Sequence, residues 1–226
     1  MRSVVRFALF ILLIPKTYCQ ESFLNDSVAI LGSENRNFLA EIFPKDRLID
    51  LSYRLIAYDI DKGKIVHVFD GLGTSRISIS RPLELVSVIG VETEKTSDGN
   101  VHKKSNGHDG LIILTSSLKV FLAIDSVMEY SWNPSGEKVA YIKGFRKQEK
   151  TMFVPTGVFI LDIKSKTSEK IADSGYDIQW ARFDNNIYIQ DWSGILAYNA
   201  STKDLQKVAH QGIYFSEDGK YYVHPA

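Results

Sequence analysis

Few residues of this chain combine the types and spacing that chemistry demands. His102 and His108-Asp109 lie close together in a polar stretch. Two imidazoles and a carboxylate are metal-ligand types, but zinc sites set their ligands at fixed short steps on a rigid frame. This spacing matches no such pattern and no fixed strand is expected to hold them, so the histidines are expected to be solvated. Asp59 and Asp61 place two carboxylates in one turn. Calcium loops gather about six to eight oxygens, and Ile60, Lys62 and Gly63 add no side-chain oxygen; turn capping is the expected role. Gly71-Leu72-Gly73 is a bare G-x-G between apolar runs, read as a turn and not as a phosphate cradle. The motifs G-x-S-x-G, H-E-x-x-H and G-x-x-x-x-G-K-[ST] do not occur. His67, His210 and His224 have no obvious partner, and serine and aspartate are too plentiful for a triad to be argued. Trp192 stands between Asp191 and Ser193-Gly194 at a turn; packing is its expected role, with a surface binding aromatic as the alternative. No catalytic residue, cofactor-binding residue or metal ligand is expected.

The elements around these residues read as strands. Arg54–Tyr58, Lys64–Phe69, Leu83–Ile89, Leu111–Leu114 and Lys119–Ile124 are rich in Val, Ile, Leu, Tyr and Phe and are separated by Gly, Asp, Asn, Ser and Lys clusters. Helical periodicity is almost absent beyond the first twenty residues. The fold class is all-β.

Internal repeats sharpen this. Leu55–Val68, Phe159–Ile171 and Ile195–Val208 share one plan: an apolar strand, then Asp59, Asp162 or Asn199, a polar turn, a basic residue and a second strand. Asp and Asn suit that place because their side chains bond the backbone two residues on. A second unit precedes the hairpin. Tyr130–Tyr141 carries an aromatic residue, Trp132, a turn built on Pro134 and Gly136, and a new strand. Ile213–Val223 repeats it with Phe215 and Gly219, and Ile178–Tyr188 is a weaker copy around Trp180 with Asn185-Asn186 in place of glycine. The anchors Trp132, Trp180 and Phe215 are 48 and 35 residues apart, near the ~40–45 residues of a propeller blade. They are expected to lie buried between blades, where a large apolar side chain stabilises by roughly 1.5–3 kcal/mol.

The stretches from Trp132 to Tyr141 and from Phe215 to Tyr221 resemble the aromatic–Ser–Pro–Asp–Gly–Lys signature of TolB-type, WD-like propeller repeats. The same repeat style occurs in the propellers of dipeptidyl-peptidase and prolyl-oligopeptidase proteins. The resemblance is clearest over residues 127–226 and thin over 23–126, where the hairpin at 55–68 alone echoes it. Asn133 replaces the usual Ser, Ser135 the usual Asp, and the copy at 178–188 lacks Pro and Gly. The resemblance implies a β-propeller of four-stranded antiparallel blades, about four to five of them present and the last incomplete. Because open edges need cover, ring closure is expected to need a further segment or subunit, and truncation is favoured over closure by the strands near Val28–Leu31 and Phe38–Ile42. Residues 92–110 and 144–150 read as long exposed loops, the second mildly basic.

Destination and partners follow from the remainder. Arg2 and Arg6 precede an unbroken apolar run from Phe7 to Ile14, ended by Pro15 and followed by Thr17-Tyr18-Cys19. A bilayer span needs roughly 20 apolar residues, so residues 1–19 read as a cleaved signal peptide and 20–226 as the propeller domain. No membrane span is expected after cleavage. Cys19 is the single cysteine, so the mature chain is expected to lack disulfides, thiol nucleophiles and thiolate metal sites. Asn25-Asp26-Ser27 and Asn199-Ala200-Ser201 match the glycosylation acceptor pattern. Lys plus Arg equals Asp plus Glu at 27 each, and this neutrality sets nucleic acid aside as a partner. The function expected is a secreted or periplasmic propeller module that binds or scaffolds protein or peptide ligands without catalysis of its own. The alternative, implied by the second resemblance, is the propeller portion of a secreted prolyl-oligopeptidase-type serine peptidase, its hydrolase domain missing or downstream.

Overall fold

A computed structural model describes residues 19–23, 28–35, 52–59, 61–72, 78–95, 101–103, 107, 109–146, 153–182, 185–209, 214–215 and 222–223. All its elements are strands, and no helix occurs among the described residues. Within each blade they run in chain order as an antiparallel meander. Blade I consists of β1 (Cys19–Phe23), β2 (Val28–Asn35), β3 (Ser52–Asp59) and β4 (Lys64–Leu72). Blade II consists of β5 (Ser78–Ser80), β6 (Leu85–Lys95), β8 (Asp109–Leu114) and β9 (Val120–Asp125), with β7 (Val101–Lys103) folded back on the far end of β6. Blade III is β10 (Val127–Trp132), β11 (Lys138–Arg146), β12 (Phe153–Asp162) and β13 (Thr167–Ala172). Blade IV is β14 (Asp177–Trp180), β15 (Asn186–Asp191), β16 (Gly194–Asn199) and β17 (Leu205–Ala209). A fifth unit begins with β18 (Tyr214–Phe215) and β19 (Tyr222–Val223). The pairs Gly71–Glu92 and Leu72–Val91 join the ladders of blades I and II, so Gly71 and Leu72 belong to a strand and not to the expected turn.

Period-two side-chain alternation explains the stacking. In β11, Val139 and Tyr141 pack with Leu85, Leu111 and Ile113 of blade II, whereas Ala140 and Ile142 pack with Ile178, Trp180, Ile187 and Ile189 of blade IV. In blade II, Val86, Val88, Ile112 and Leu114 turn the other way and meet Leu55, Ala57 and Phe69 of blade I. The middle strands are thus apolar on both faces because each lies between two neighbours. Sheets that meander in sequence and bury both faces against the sheets before and after them are propeller blades.

The repeat extends beyond the copies visible in the sequence. Trp132 pairs with Val139, Trp180 with Ile187 and Phe215 with Tyr222, and blade II sets Ile79 opposite Val86 at the same seven-residue step. Residues 78–125 therefore form a blade of the same register, where only thin resemblance is expected. Its signature is hidden because Ile79 takes the aromatic place and Glu84, at φ 50°, takes a left-handed turn position without glycine.

Candidate functional site

Antiparallel order divides each blade into two ends. The turns from first to second strand and from third to fourth strand lie at one end, here called the turn end. The hairpins from second to third strand and the crossings to the next blade lie at the other, the crossing end.

At the turn end the side chains hold structure. The Asp59 carboxylate accepts from Lys62 N at 2.8 Å, Asp162 from Ser165 N at 2.9 Å and Asn199 from Thr202 N at 3.0 Å. The cap thus reaches three residues on, one further than expected, while Asn199 also accepts from Ser201 N at 2.9 Å. A left-handed residue follows each cap: Gly63, Lys166 or Lys203. Both lysines reach the fourth strand of the preceding blade. Lys166 Nζ lies 4.6 Å from the Phe121 ring centroid, and Lys203 Nζ lies 2.7 Å from Glu169. The side-chain bond to Lys62 and the backbone bond from Ser165 hold the Asp59 and Asp162 carboxyls below the ordinary aspartate range. Asn199 also donates from Nδ2 to Asn186 of β15 at 3.0 Å, so both ends of its amide, the possible glycan acceptor, are engaged, one in the turn and one across the sheet. Asn25 and Gly219 lie outside the described residues.

The other repeat residues meet at blade junctions. Trp132 is partly buried against blade II and donates from Nε1 to Ser87 Oγ at 2.7 Å. Ser87 is buried and donates in turn to the Ser78 carbonyl at 3.2 Å, while the buried Tyr130 hydroxyl donates to the Ser87 carbonyl at 3.0 Å. Trp180 is buried between blades III and IV, and its backbone N donates to Ser131 Oγ at 2.9 Å. Among the described residues its indole Nε1 has no hydrogen-bond partner. Asn133, in place of the usual Ser, accepts from the N–H groups of Glu137 and Lys138 at 2.8 Å each. Gly136 follows Pro134 at φ 69°, and a Cβ there would meet Ser80 Oγ at 2.6 Å. Its carbonyl already accepts from that hydroxyl, so the first-to-second-strand turns of blades II and III press together at this glycine. The side chain of Phe215 is outside the described set; its backbone pairs with Tyr222.

The crossing end is different. Eight large apolar side chains are exposed among the described residues. Ile65, Val68, Val120, Leu205 and Val208 are aliphatics on the outer strands β4, β9 and β17. The other three, Phe145, Tyr176 and Trp192, are aromatic and belong to the crossing end. Trp192 is 76% exposed, which corrects the expectation that it packs. The β15–β16 hairpin is held tight by Asp191, which accepts from Ser193 N at 2.7 Å, and this leaves the indole at the hairpin tip. Its ring lies 5.2 Å from that of Tyr176, tilted by 45°. Tyr176 is placed there by the crossing from blade III, its N–H donating to the Gln190 carbonyl at 2.9 Å. The same end carries the β6–β7 hairpin, so residues 92–95 and 101–103 are strand where an exposed loop is expected. It sets His102 opposite Glu94 in a paired strand, contrary to the expectation that no strand holds it. His108 lies outside the described residues, as do His210 and His224, and His67 is exposed on β4. Among the described residues, no three His, Cys, Asp or Glu side chains gather as metal ligands.

No known protein family and no curated protein matches the chain. Among solved structures, the chain is similar to TolB from Acinetobacter baumannii, with TM-score 0.40 and 11% identity over 80% of this chain and 61% of that one. It is also similar to the acylaminoacyl peptidase of Pyrococcus horikoshii, with TM-score 0.47 and 10% identity over 88% of this chain and 34% of that one. The chain spans less than two thirds of either protein. The stacked four-stranded blades themselves identify the propeller.

Proposed function

We propose that the chain is a secreted or periplasmic propeller module that binds protein or peptide ligands at its crossing end and performs no catalysis of its own. The observation that carries this reading is the segregation of Phe145, Tyr176 and Trp192. Exposed Trp and Tyr on a rigid frame are the residue types that dominate binding surfaces, and propeller hairpins and crossings are loops that tolerate variation without loss of the blades. The histidines and acids named above form no described constellation that would activate a nucleophile or water. Residues 1–19 act in this reading as the leader. Removal through Cys19 takes one residue from β1, and Gln20–Phe23 keep their partners Gly32 to Ala29.

Purified chain is to be assayed for turnover of peptide and ester substrates and for saturable retention of peptides on an array. Retention without turnover is the expected result. Turnover that survives repurification contradicts the reading. Secretion is checked by amino-terminal sequencing of exported protein, which is expected to begin at Gln20; retention of the apolar segment in exported protein contradicts the leader.

A further inference from the structure

We infer that the Tyr176–Trp192 pair is a docking platform for a basic peptide segment, an arginine or lysine side chain stacking on the Trp192 face. This inference rests on the binding-module reading and names the ligand chemistry of that same end. Three observations carry it. First, Trp192 is 76% exposed yet not loose: Asp191 fixes its hairpin through both Ser193 N and Ser193 Oγ, at 2.7 and 2.8 Å, and the Tyr176 ring flanks it. A rigid exposed aromatic loses little conformational entropy when a partner lands on it.

Second, the charges beside the pair are acidic. Asp177 follows Tyr176 and Asp191 precedes Trp192, and Asp177 and Gln190 face each other across β14 and β15. In both aspartates the described hydrogen bonds use Oδ1, from Ile178 N for Asp177 and from Ser193 for Asp191. Asp173, on the same crossing, is held by Lys170 at 2.9 Å, so the cation of this crossing already has a partner. A cation over an indole face is attracted by the ring quadrupole, and flanking carboxylates add to that attraction while disfavouring an acidic segment.

Third, the neighbouring blade reinforces the choice of a peptide over a single small cation. Phe145, 53% exposed near the crossing end of β11, gives blade III an exposed aromatic at the same end. The acidic pair Asp177 and Asp191 belongs to blade IV, at the start of β14 and the end of β15.

The test uses the full chain. An array of Arg/Lys-rich, Asp/Glu-rich and uncharged peptides is probed first, and a fluorescein-labelled arginine octapeptide is then titrated with fluorescence anisotropy as the readout, which does not depend on Trp192. The expected result is preferential retention of basic peptides, with octapeptide affinity about tenfold weaker in Trp192→Ala. In the double variant Asp177→Asn with Asp191→Asn, affinity falls about fivefold and the salt dependence shrinks. Asparagine keeps the Oδ1 acceptor used by Ile178 N at position 177 and by Ser193 at position 191, so this variant removes charge without removing the hairpin cap. Octapeptide binding that is unchanged in Trp192→Ala, or a preference for acidic or uncharged peptides, overturns the inference and leaves the binding module standing. Retention of no peptide of any class overturns both.

Discussion

Ser87 and Ala140 show how a single hydroxyl decides whether an inter-blade tryptophan is satisfied. Ser87 faces Ser78 across β5 and β6, and Ala140 faces Ser131 across β10 and β11. The two positions are equivalent, yet Trp132 finds an acceptor at Ser87 and the Trp180 indole finds none beside Ala140. A buried donor without a partner costs about 1–3 kcal/mol. Ala140→Ser supplies the acceptor, and its own proton has the Ser131 carbonyl as a partner, as Ser87 has the Ser78 carbonyl. The expected outcome is a stabilisation of about 1 kcal/mol, measured by urea denaturation; destabilisation would show that the Trp180 indole is turned from that site. Gly136 is the opposite case. Gly136→Ala meets both a left-handed φ and Ser80 Oγ, so it is expected to lower stability by about 1–3 kcal/mol, whereas Ser135→Ala, in the same turn but exposed, is expected to leave stability within about 0.5 kcal/mol.

Among the elements, the capped hairpins tie stability to pH. The folded-state value of Asp162 is depressed, first by the Ser165 backbone bond and also by the Ser165 hydroxyl and Lys138. A depressed carboxyl contributes stability that is full above its unfolded value, near pH 4, and is lost as pH falls through the lower folded value. Asp59, Glu137 and Asp173 act in the same direction. Asp162→Asn keeps the acceptor and removes the charge. Its denaturation midpoint is expected to fall less than that of the unaltered chain between pH 5 and acid; an equal fall in both proteins would contradict the cap as the source. These hairpins were legible in sequence because an Asx residue followed by a polar turn is a local signal that needs no knowledge of the partner strand. Blade II was not legible in the same way. Ile79 offers no aromatic flag, and Thr115 replaces the Asx cap of its second hairpin, accepting weakly from Lys119 N at 3.3 Å. Trp192 also misled, since its surroundings come from the crossing that carries Tyr176, and local spacing says nothing about which strand arrives there.

In the whole molecule, apolar alternation couples each blade to the ones before and after it, so the effect of a core lesion should be greatest at its own junction. Ile142 is fully buried between blades III and IV. Ile142→Ala is expected to cost about 2–5 kcal/mol, and hydrogen exchange should accelerate more in β12 and β15 than in β6 and β8. Uniform acceleration through all the blades would contradict nearest-neighbour coupling. The same stacking leaves the loops of the crossing end free to differ, which is why the aromatic rings there are read as a binding surface and the turn end as scaffold. No helix of the described residues is long and apolar enough to cross a membrane.

The recurring register underlies the blades, their junctions and the division of each blade into a turn end and a crossing end. The most direct measurement is a set of cross-strand nuclear Overhauser contacts in labelled protein. The structure predicts contacts between Ile79 and Val86, Trp132 and Val139, and Trp180 and Ile187, together with a contact from the Trp132 indole N–H to the Ser87 side chain. A shifted register at any of these pairs, or a Trp132 indole whose contacts lie wholly within its own blade, would contradict the account.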